Sequence, residues 1–276
     1  MQLLGAAPNQ TEPTALLAID IGNSNIVIGV DWGRGWEARW RLASHPARSA
    51  DELVLTVSGL MHLDGVNPES IGRSVITSVV PELTEPVQAM CRRLFGGPAL
   101  VVGPGLHTGM PLRYQPAASL GADRLVDALA ARAAFGAPVI TVDFGTATTF
   151  NVVDASGTFV GGAIAPGVGI AAQALADAGA RLTRIALLPA AETPLVGRST
   201  EQGMRSGLLL GFAGLTRGLL DRLEAELRQD GSGRPAVVAT GGLVYHIAPW
   251  VPRIDHVVPD LILDGMRLIA TLNPQP

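Results

Sequence analysis

Apolar residues in this chain fall first into short β-prone runs and then at three- and four-residue spacing, and the change of period separates strands from helices. Residues 16–19 (LLAI), 25–32 (NIVIGVDW) and 36–42 (WEARWRL) are runs of the first kind joined by tight turns, which predicts an antiparallel meander. A helix follows over about 50–63, with Leu53, Val57, Leu60 and Met61 on one face. Next come a β-branched strand at 74–79, ended by Pro81, a helix over about 82–95 and a strand at 99–102. The second half repeats the series. Strands at 138–142, 149–154 and 158–165 are followed by helices at about 168–181 and 199–229, a strand at 236–240, a short helix, a strand near 254–258 and a helix over about 260–272. This is a mixed-sheet α/β pattern rather than strict βαβ alternation. It divides the chain into a loose tail at 1–14 and two related halves, 15–117 and 118–276.

The first turn of each half carries the candidate chemistry: DIGNSN at 20–25 and DFGTAT at 143–148. Both read Asp, any residue, Gly, then small hydroxyl or amide side chains. Glycine lets backbone approach phosphate oxygens, and turn amides supply fixed donors for them. The Asp can hold a hydrated divalent cation, since Mg²⁺ keeps several waters and takes one or two carboxylates besides substrate phosphates. Asp, Asn and Gly also dominate ordinary hairpin turns. Two copies in matching context favour nucleotide chemistry, with the loops facing each other across a cleft whose closure excludes water.

Composition narrows the chemistry. An apolar fraction of 47% in 276 residues suffices for a substantial core, and a net charge of −4 with no Arg-rich stripe among aromatics argues against a nucleic-acid surface. All 20 residues counted as Lys+Arg are Arg, so a Walker-type loop, Schiff-base chemistry and a kinase Lys–Glu pair are excluded. Any anion must be met by Arg, backbone amides, hydroxyls or metal. The single Cys91 makes no internal disulfide and reads as a small buried residue, while the five histidines show no zinc-ligand spacing. No run of apolar residues is long enough to span a membrane, and the first fourteen residues lack the features of a signal peptide, which points to the cytoplasm. In the helix at 199–229, Leu208, Phe212, Leu215, Leu219, Leu223 and Leu227 form one apolar stripe, suited to core packing or to a subunit interface.

Between the halves lies LGADRLVDALAA, 120–131, with Asp123 in the first turn of a helix. An Asp there can simply stabilise the helix N-terminus, by about 0.3–1 kcal/mol, and Arg124 can be its surface partner. Alternatively the carboxylate accepts a proton from an attacking alcohol while the guanidinium binds an anionic substrate or the transferring phosphate. GVGIAA at 167–172 formally fits a dinucleotide fingerprint, but Pro166 precedes it and no acidic residue closes a following strand, so glycines that allow close packing or let backbone approach a ligand are the better reading. TGG at 240–242 is a strand-to-helix turn that could also border the adenosine of ATP.

Taken together, DIGNSN, SVVP (78–81), LGADR, VDFGTATTF (142–150), GGAIAPG (161–167), TGGL (240–243) and DLILDGM (260–266) resemble the type III pantothenate kinases, in order from about 16 to 272. The resemblance implies the acetate and sugar kinase, Hsp70 and actin fold: duplicated ribonuclease H-like domains, each a mixed five-stranded sheet flanked by helices. It implies a homodimer that phosphorylates pantothenate with ATP in the first step of coenzyme A synthesis, with Mg²⁺ and a monovalent cation, K⁺ or NH₄⁺. Matched by motif, Asp20, Ile21, Gly22, Asn23, Ser24, Asn25, Ile26 and Val27 form the ATP-phosphate loop, with Asp20 near Mg²⁺ and Thr146 a further ATP contact. Gly121, Ala122, Asp123 and Arg124 line the pantothenate site, with Asp123 the proton acceptor. Tyr114 and Thr200 match other substrate-contacting positions, and Asp143 matches the K⁺ ligand. The chain departs from the family at Ser24, commonly Thr, and at Asn151, frequently Asp. Two other readings compete: a non-enzymatic nucleotide-binding regulator on the same fold, and a kinase for another small alcohol or carboxylate.

Overall fold

The computed structural model describes residues 14–179, 185–188, 192–229, 231 and 233–274; apart from Thr14, the expected tail lies outside them. The chain divides into two compact units, residues 1–103 and 104–276.

The first unit begins with β1 (Ala15–Ile21), β2 (Asn25–Asp31) and β3 (Trp36–Ala43), the expected antiparallel meander. Along β3 burial alternates strictly, with Trp36, Ala38, Trp40 and Leu42 inward and Glu37, Arg39 and Arg41 outward. Then come α1 (Ala50–Leu63), β4 (Ile71–Ser78), α2 (Pro81–Phe95) and a short β5 (Leu100–Val101), giving the sheet order β3-β2-β1-β4-β5. A capping box starts α1: Ser49 Oγ accepts the Glu52 N–H, and the Ser49 N–H donates to Glu52 Oε2 at 2.8 Å. Pro81 does more than end a strand. It is the first residue of α2, where its missing N–H costs no helical hydrogen bond. Leu53, Val57 and Met61 of α1 and Leu83, Val87 and Met90 of α2 pack on the sheet in one core. Cys91 is buried there, and burial pushes its thiol up to about 12.

The second unit contains α3 (Ala122–Phe135), β6 (Val139–Phe144), β7 (Ala147–Val153), β8 (Phe159–Pro166), α4 (Val168–Ala178), α5 (Thr200–Gln229), β9 (Ala236–Thr240), α6 (Val244–Ile247), β10 (His256–Val257) and α7 (Leu261–Leu272). Its sheet order is β10-β9-β6-β7-β8. Followed from β8, this is the order of the first sheet: a three-stranded meander, then a parallel strand, then a short parallel edge. The last strand is shorter than expected because Asp255, just before it, takes the Val237 N–H and an Arg253 guanidinium on its carboxylate. In α5 the apolar stripe faces the core: Leu208, Phe212 and Leu227 are buried, and Leu215, Leu219 and Leu223 pack partly buried against the same cluster. Helices α3 and α7 approach so closely that a Cβ on Gly265 would overlap the Val126 carbonyl. Among the described residues, no helix is long and apolar enough to cross a membrane.

Candidate active site

Asp20 sits on β1, the central strand of its sheet, opposite Thr77 of β4. The Thr77 hydroxyl, itself fully buried, donates to Asp20 Oδ1 at 2.7 Å and so fixes that carboxylate. The turn that follows closes with the Gly22 N–H on the Asn25 carbonyl at 3.0 Å. Ser44, just after β3, ties it down: its hydroxyl donates to the Gly22 carbonyl at 2.6 Å and its N–H to the Ser24 carbonyl at 3.0 Å. Of the residues matched to the phosphate loop, Ile21 and Ile26 bury their side chains in the core, so only their backbone borders the turn. Asn23 and Ser24 are exposed at its tip and are the polar groups it presents outward.

In the second unit Asp143 sits on β6, again the central strand, opposite Thr240 of β9. The Gly145 N–H closes the turn on the Ala147 carbonyl at 3.0 Å. Here glycines surround the carboxylate. A Cβ on Gly145 would lie 3.1 Å from Asp143 Oδ2, and one on Gly241, whose φ is +95°, would overlap Asp143 Oδ1 and the Phe144 backbone. The Leu243 N–H donates to the Phe144 carbonyl at 3.1 Å, which fastens the TGGL turn to β6. A Cβ on Gly167 would overlap the carbonyls of Gly145 and Thr146. Of the two glycines of the dinucleotide-like motif, Gly167 therefore serves close packing against this hairpin, while a Cβ on Gly169 would meet open space. Thr146 is half-buried at its tip.

The segment GADR forms the start of α3, with Gly121 as the N-cap. Asp123 Oδ1 accepts the Arg124 N–H at 2.8 Å, and a Cβ on Gly121 would overlap that oxygen, so glycine is what leaves the carboxylate its place. Burial pushes the Asp123 carboxyl above the usual Asp range, more than the Arg124 N–H and its charge pull it down. Arg124 is 6% exposed. Its Nε donates to Asn151 Oδ1 at 2.7 Å, Nη2 to the Phe150 carbonyl at 3.4 Å and Nη1 to the Tyr114 hydroxyl at 3.5 Å. Its guanidinium carbon lies 5.8 Å and 6.0 Å from the ring centroids of Tyr114 and Phe159, within cation–π reach. The two rings meet edge to face, 5.9 Å apart. The structure thus gathers Tyr114, Asp123 and Arg124, and it adds Asn151 and Phe159. In the sequence Asn151 is only a departure from the family pattern, and its one visible signal is an amide among the apolar residues of its strand. Thr200 is exposed at the first turn of α5 and has no hydrogen bond to this group among the described residues.

Among the described residues there is no cluster of three or more His, Cys, Asp or Glu side chains suited to a metal. Single carboxylates are what the structure offers. Asp20 on a rigid strand fits a hydrated Mg²⁺ that arrives with phosphates, and Asp143, in a cradle that a Cβ on Gly241 would fill, fits a larger oxygen-liganded cation.

The family model described as type III pantothenate kinase matches residues 16–222. The chain is similar to the type III pantothenate kinase of Moorella thermoacetica, 43% identical over 258 residues that cover 94% of this chain and 99% of that one. It is likewise similar to that of Roseiflexus castenholzii, 44% identical over 260 residues covering 94% and 100%. Among solved structures, MreB 5 of Spiroplasma citri bound to AMPPNP superposes with a TM-score of 0.53 at 11% identity, covering 95% of this chain and 97% of that one. The ethanolamine utilization protein EutJ of Carboxydothermus hydrogenoformans gives 0.52 at 16% identity, covering 96% and 92%. Both likenesses show the actin-like ATPase fold.

Proposed function

Because this chain belongs to the type III pantothenate kinase family, we propose that it transfers the γ-phosphoryl group of ATP to the primary alcohol of pantothenate, the first step of coenzyme A biosynthesis. The observation that carries the reading is the adjacent pair on the first turn of α3: a half-buried carboxylate with raised proton affinity beside a buried guanidinium. Asp123 takes the proton of the attacking hydroxyl, and the raised pKa makes it a better base than an ordinary Asp. Arg124 receives the carboxylate of pantothenate, and Tyr114 flanks it. Gly121 and Ala122 line the same substrate, and Gly121 leaves the Asp123 carboxylate its place. In the first unit the turn from Asp20 to Val27 meets the ATP phosphates through Asn23, Ser24 and its backbone; in the second, Thr146 adds an ATP contact. Asp20 would hold Mg²⁺, which supplies neutralisation of charge on the phosphoryl oxygens. Asp143 would hold K⁺ or NH₄⁺, which supplies a fixed positive charge near its hairpin. Thr200 completes the substrate contacts, and the enzyme works in the cytoplasm as a homodimer.

Pantothenate-dependent ADP formation, measured with and without K⁺, tests the reading. No ADP above the ATP-only control in either condition would favour a nucleotide-binding regulator, and turnover of another small alcohol or carboxylate instead would move the substrate. For the base, Asp123→Asn is expected to lower turnover by about 10²–10⁴-fold. Asp123 must be ionised to accept a proton, so wild-type turnover falls as pH drops through its raised pKa, at higher pH than an ordinary Asp would give. The stability sign is opposite. A carboxyl whose folded pKa is raised destabilises the fold once ionised, so Asp123→Asn should keep or raise the melting temperature at neutral pH. Near-wild-type turnover in that variant, with chemistry rate-limiting, would remove Asp123 from the mechanism.

A further inference from the structure

We infer that Arg132 is a positioning residue for the acceptor site: from the far end of α3 it sets where the Tyr114 segment lies, and so where Tyr114 stands against Arg124. The inference rests on the kinase reading above, in which Tyr114 flanks the bound pantothenate. Residues 104–121 carry little regular structure of their own: an isolated parallel bridge between Leu112 and Phe159, and one short turn at Ala117–Ser119. Such a segment keeps its place through what it is tied to. The bridge is made by the Phe159 N–H on the Pro111 carbonyl at 2.9 Å and the Arg113 N–H on the Phe159 carbonyl at 2.8 Å.

Helix α3 meets this bridge at both ends. At one end Arg124, in the first turn, reaches the Tyr114 hydroxyl and the rings of Tyr114 and Phe159. At the other end Arg132, in the last turn, spans two carbonyls: Nη2 donates to Gly109 at 2.8 Å and Nη1 to Gly157 at 3.0 Å. Gly109 lies two residues before Pro111 and Gly157 two before Phe159, so the guanidinium joins the two sides of the bridge just upstream of their own pairing. The arginines are eight positions apart, about 12 Å along a helix, and α3 fixes that span. Both carbonyls belong to glycines with left-handed backbone, φ +62° at Gly109 and +80° at Gly157, which glycine adopts without strain. Among the described residues no carboxylate pairs with Arg132, so its planar fork is committed to the two carbonyls. The segment is tied again at His107, whose N–H donates to Asn273 Oδ1 at 2.9 Å and whose carbonyl accepts from Asn273 Nδ2 at 2.8 Å. Loss of Arg132 therefore loosens the stretch between His107 and Pro111 while both flanks stay anchored. Tyr114 is displaced rather than released.

The test reads pantothenate kinetics and melting temperature in the purified full-length protein. Arg132→Ala is expected to raise KM for pantothenate about three- to tenfold, with kcat and the KM for ATP changed by less than about twofold. Arg132→Lys, which brings a point charge on a flexible stem in place of the planar fork, should fall between the wild type and Arg132→Ala. Tyr114→Ala supplies the second arm. With that ring gone, adding Arg132→Ala should raise KM for pantothenate by less than about 1.5-fold further, because the arginine acts through the tyrosine. Increases that multiply in the double variant would overturn the inference. So would a lower melting temperature with KM for pantothenate unchanged, the mark of a purely structural tie, or a fall in kcat at constant KM. If Arg132→Ala does not fold, Arg132→Lys with and without Tyr114→Ala carries the same comparison. A wild type without pantothenate-dependent turnover removes the kinase reading and this inference with it; an active wild type with an unaltered Arg132→Ala removes the inference alone.

Discussion

Asp20 and Asp143 hold the same place in their sheets, each on a central strand and each opposite a threonine of the neighbouring parallel strand, Thr77 and Thr240. The two threonines do different things. The Thr77 hydroxyl donates to Asp20 Oδ1 at 2.7 Å, whereas the Thr240 hydroxyl turns to the Pro259 carbonyl at 3.5 Å. The chain beyond them differs as well. After Thr77 it continues as Ser78 and Val79; after Thr240 it enters Gly241 at φ +95°, whose bare backbone lies against the Asp143 carboxylate. One backbone plan therefore yields a carboxylate oriented by a hydroxyl and a carboxylate cradled by glycine. In the reading proposed above, the first would hold a small cation that keeps its waters, and the second a larger one that sheds them for protein oxygens. The repeat is topological, and residues one or two positions past each threonine are where the two copies part.

The largest effect should come from the first hairpin. Asp20→Asn removes the charge proposed for Mg²⁺ and is expected to lower kcat/KM by about 10²–10³-fold, the usual scale for losing one preorganised charge stabiliser. Its Mg²⁺ titration should shift while the response to K⁺ keeps its shape. An equal loss for Asp143→Asn, with the same Mg²⁺ shift, would break the distinction between the hairpins.

For the second hairpin the expected signature is a changed response to K⁺. Asp143→Asn should abolish K⁺ activation and cost roughly tenfold in turnover, less than the loss of about 10²–10³-fold for a group that meets the transition state directly. Gly241→Ala tests the cradle itself. Its Cβ would overlap the Asp143 carboxylate, and a left-handed backbone strains any residue but glycine, at about 1–3 kcal/mol. Higher half-saturating K⁺ and a lower melting temperature are expected together. A variant that melts early but responds normally to K⁺ would reduce Gly241 to a packing role.

Much of this architecture was legible from periodicity. The alternation in WEARWRL reappears residue by residue in the burial of β3, and the long leucine stripe is the core face of α5. The candidate site was legible only in part, because its parts are brought together by pairings distant in sequence. Tyr114 lies in a stretch with no periodic signal; it reaches Arg124 because Phe159 holds the chain beside it, donating to the Pro111 carbonyl at 2.9 Å and accepting from the Arg113 N–H at 2.8 Å. Ser44 looks like an ordinary residue after a strand, and its clamp on the Gly22 turn follows from the β2–β3 register, in which Asn25 pairs with Ala43 and Ser44 comes next to Ser24. Asn151 broke the apolar pattern of its strand, yet nothing in spacing says that its partner is 27 positions earlier.

The smallest effects discriminate most finely between the hairpins, because the two threonines occupy equivalent registers. Thr77→Val keeps the shape of the side chain and deletes the donor to Asp20, a hydrogen bond to a charged group worth about 1.5–3 kcal/mol. Much of that bond serves to orient the carboxylate, so the Mg²⁺ concentration for half-maximal turnover should rise about three- to tenfold, with a small fall in melting temperature. Thr240→Val deletes a long hydrogen bond between neutral groups, and its effect on stability should stay near or below about 0.5 kcal/mol with the K⁺ response unaltered. Matched effects in the two variants would mean that the threonines serve only the packing of their sheets. An effect confined to Thr77→Val would tie the functional asymmetry to one hydroxyl, since the strands on either side of it run in the same register in both units.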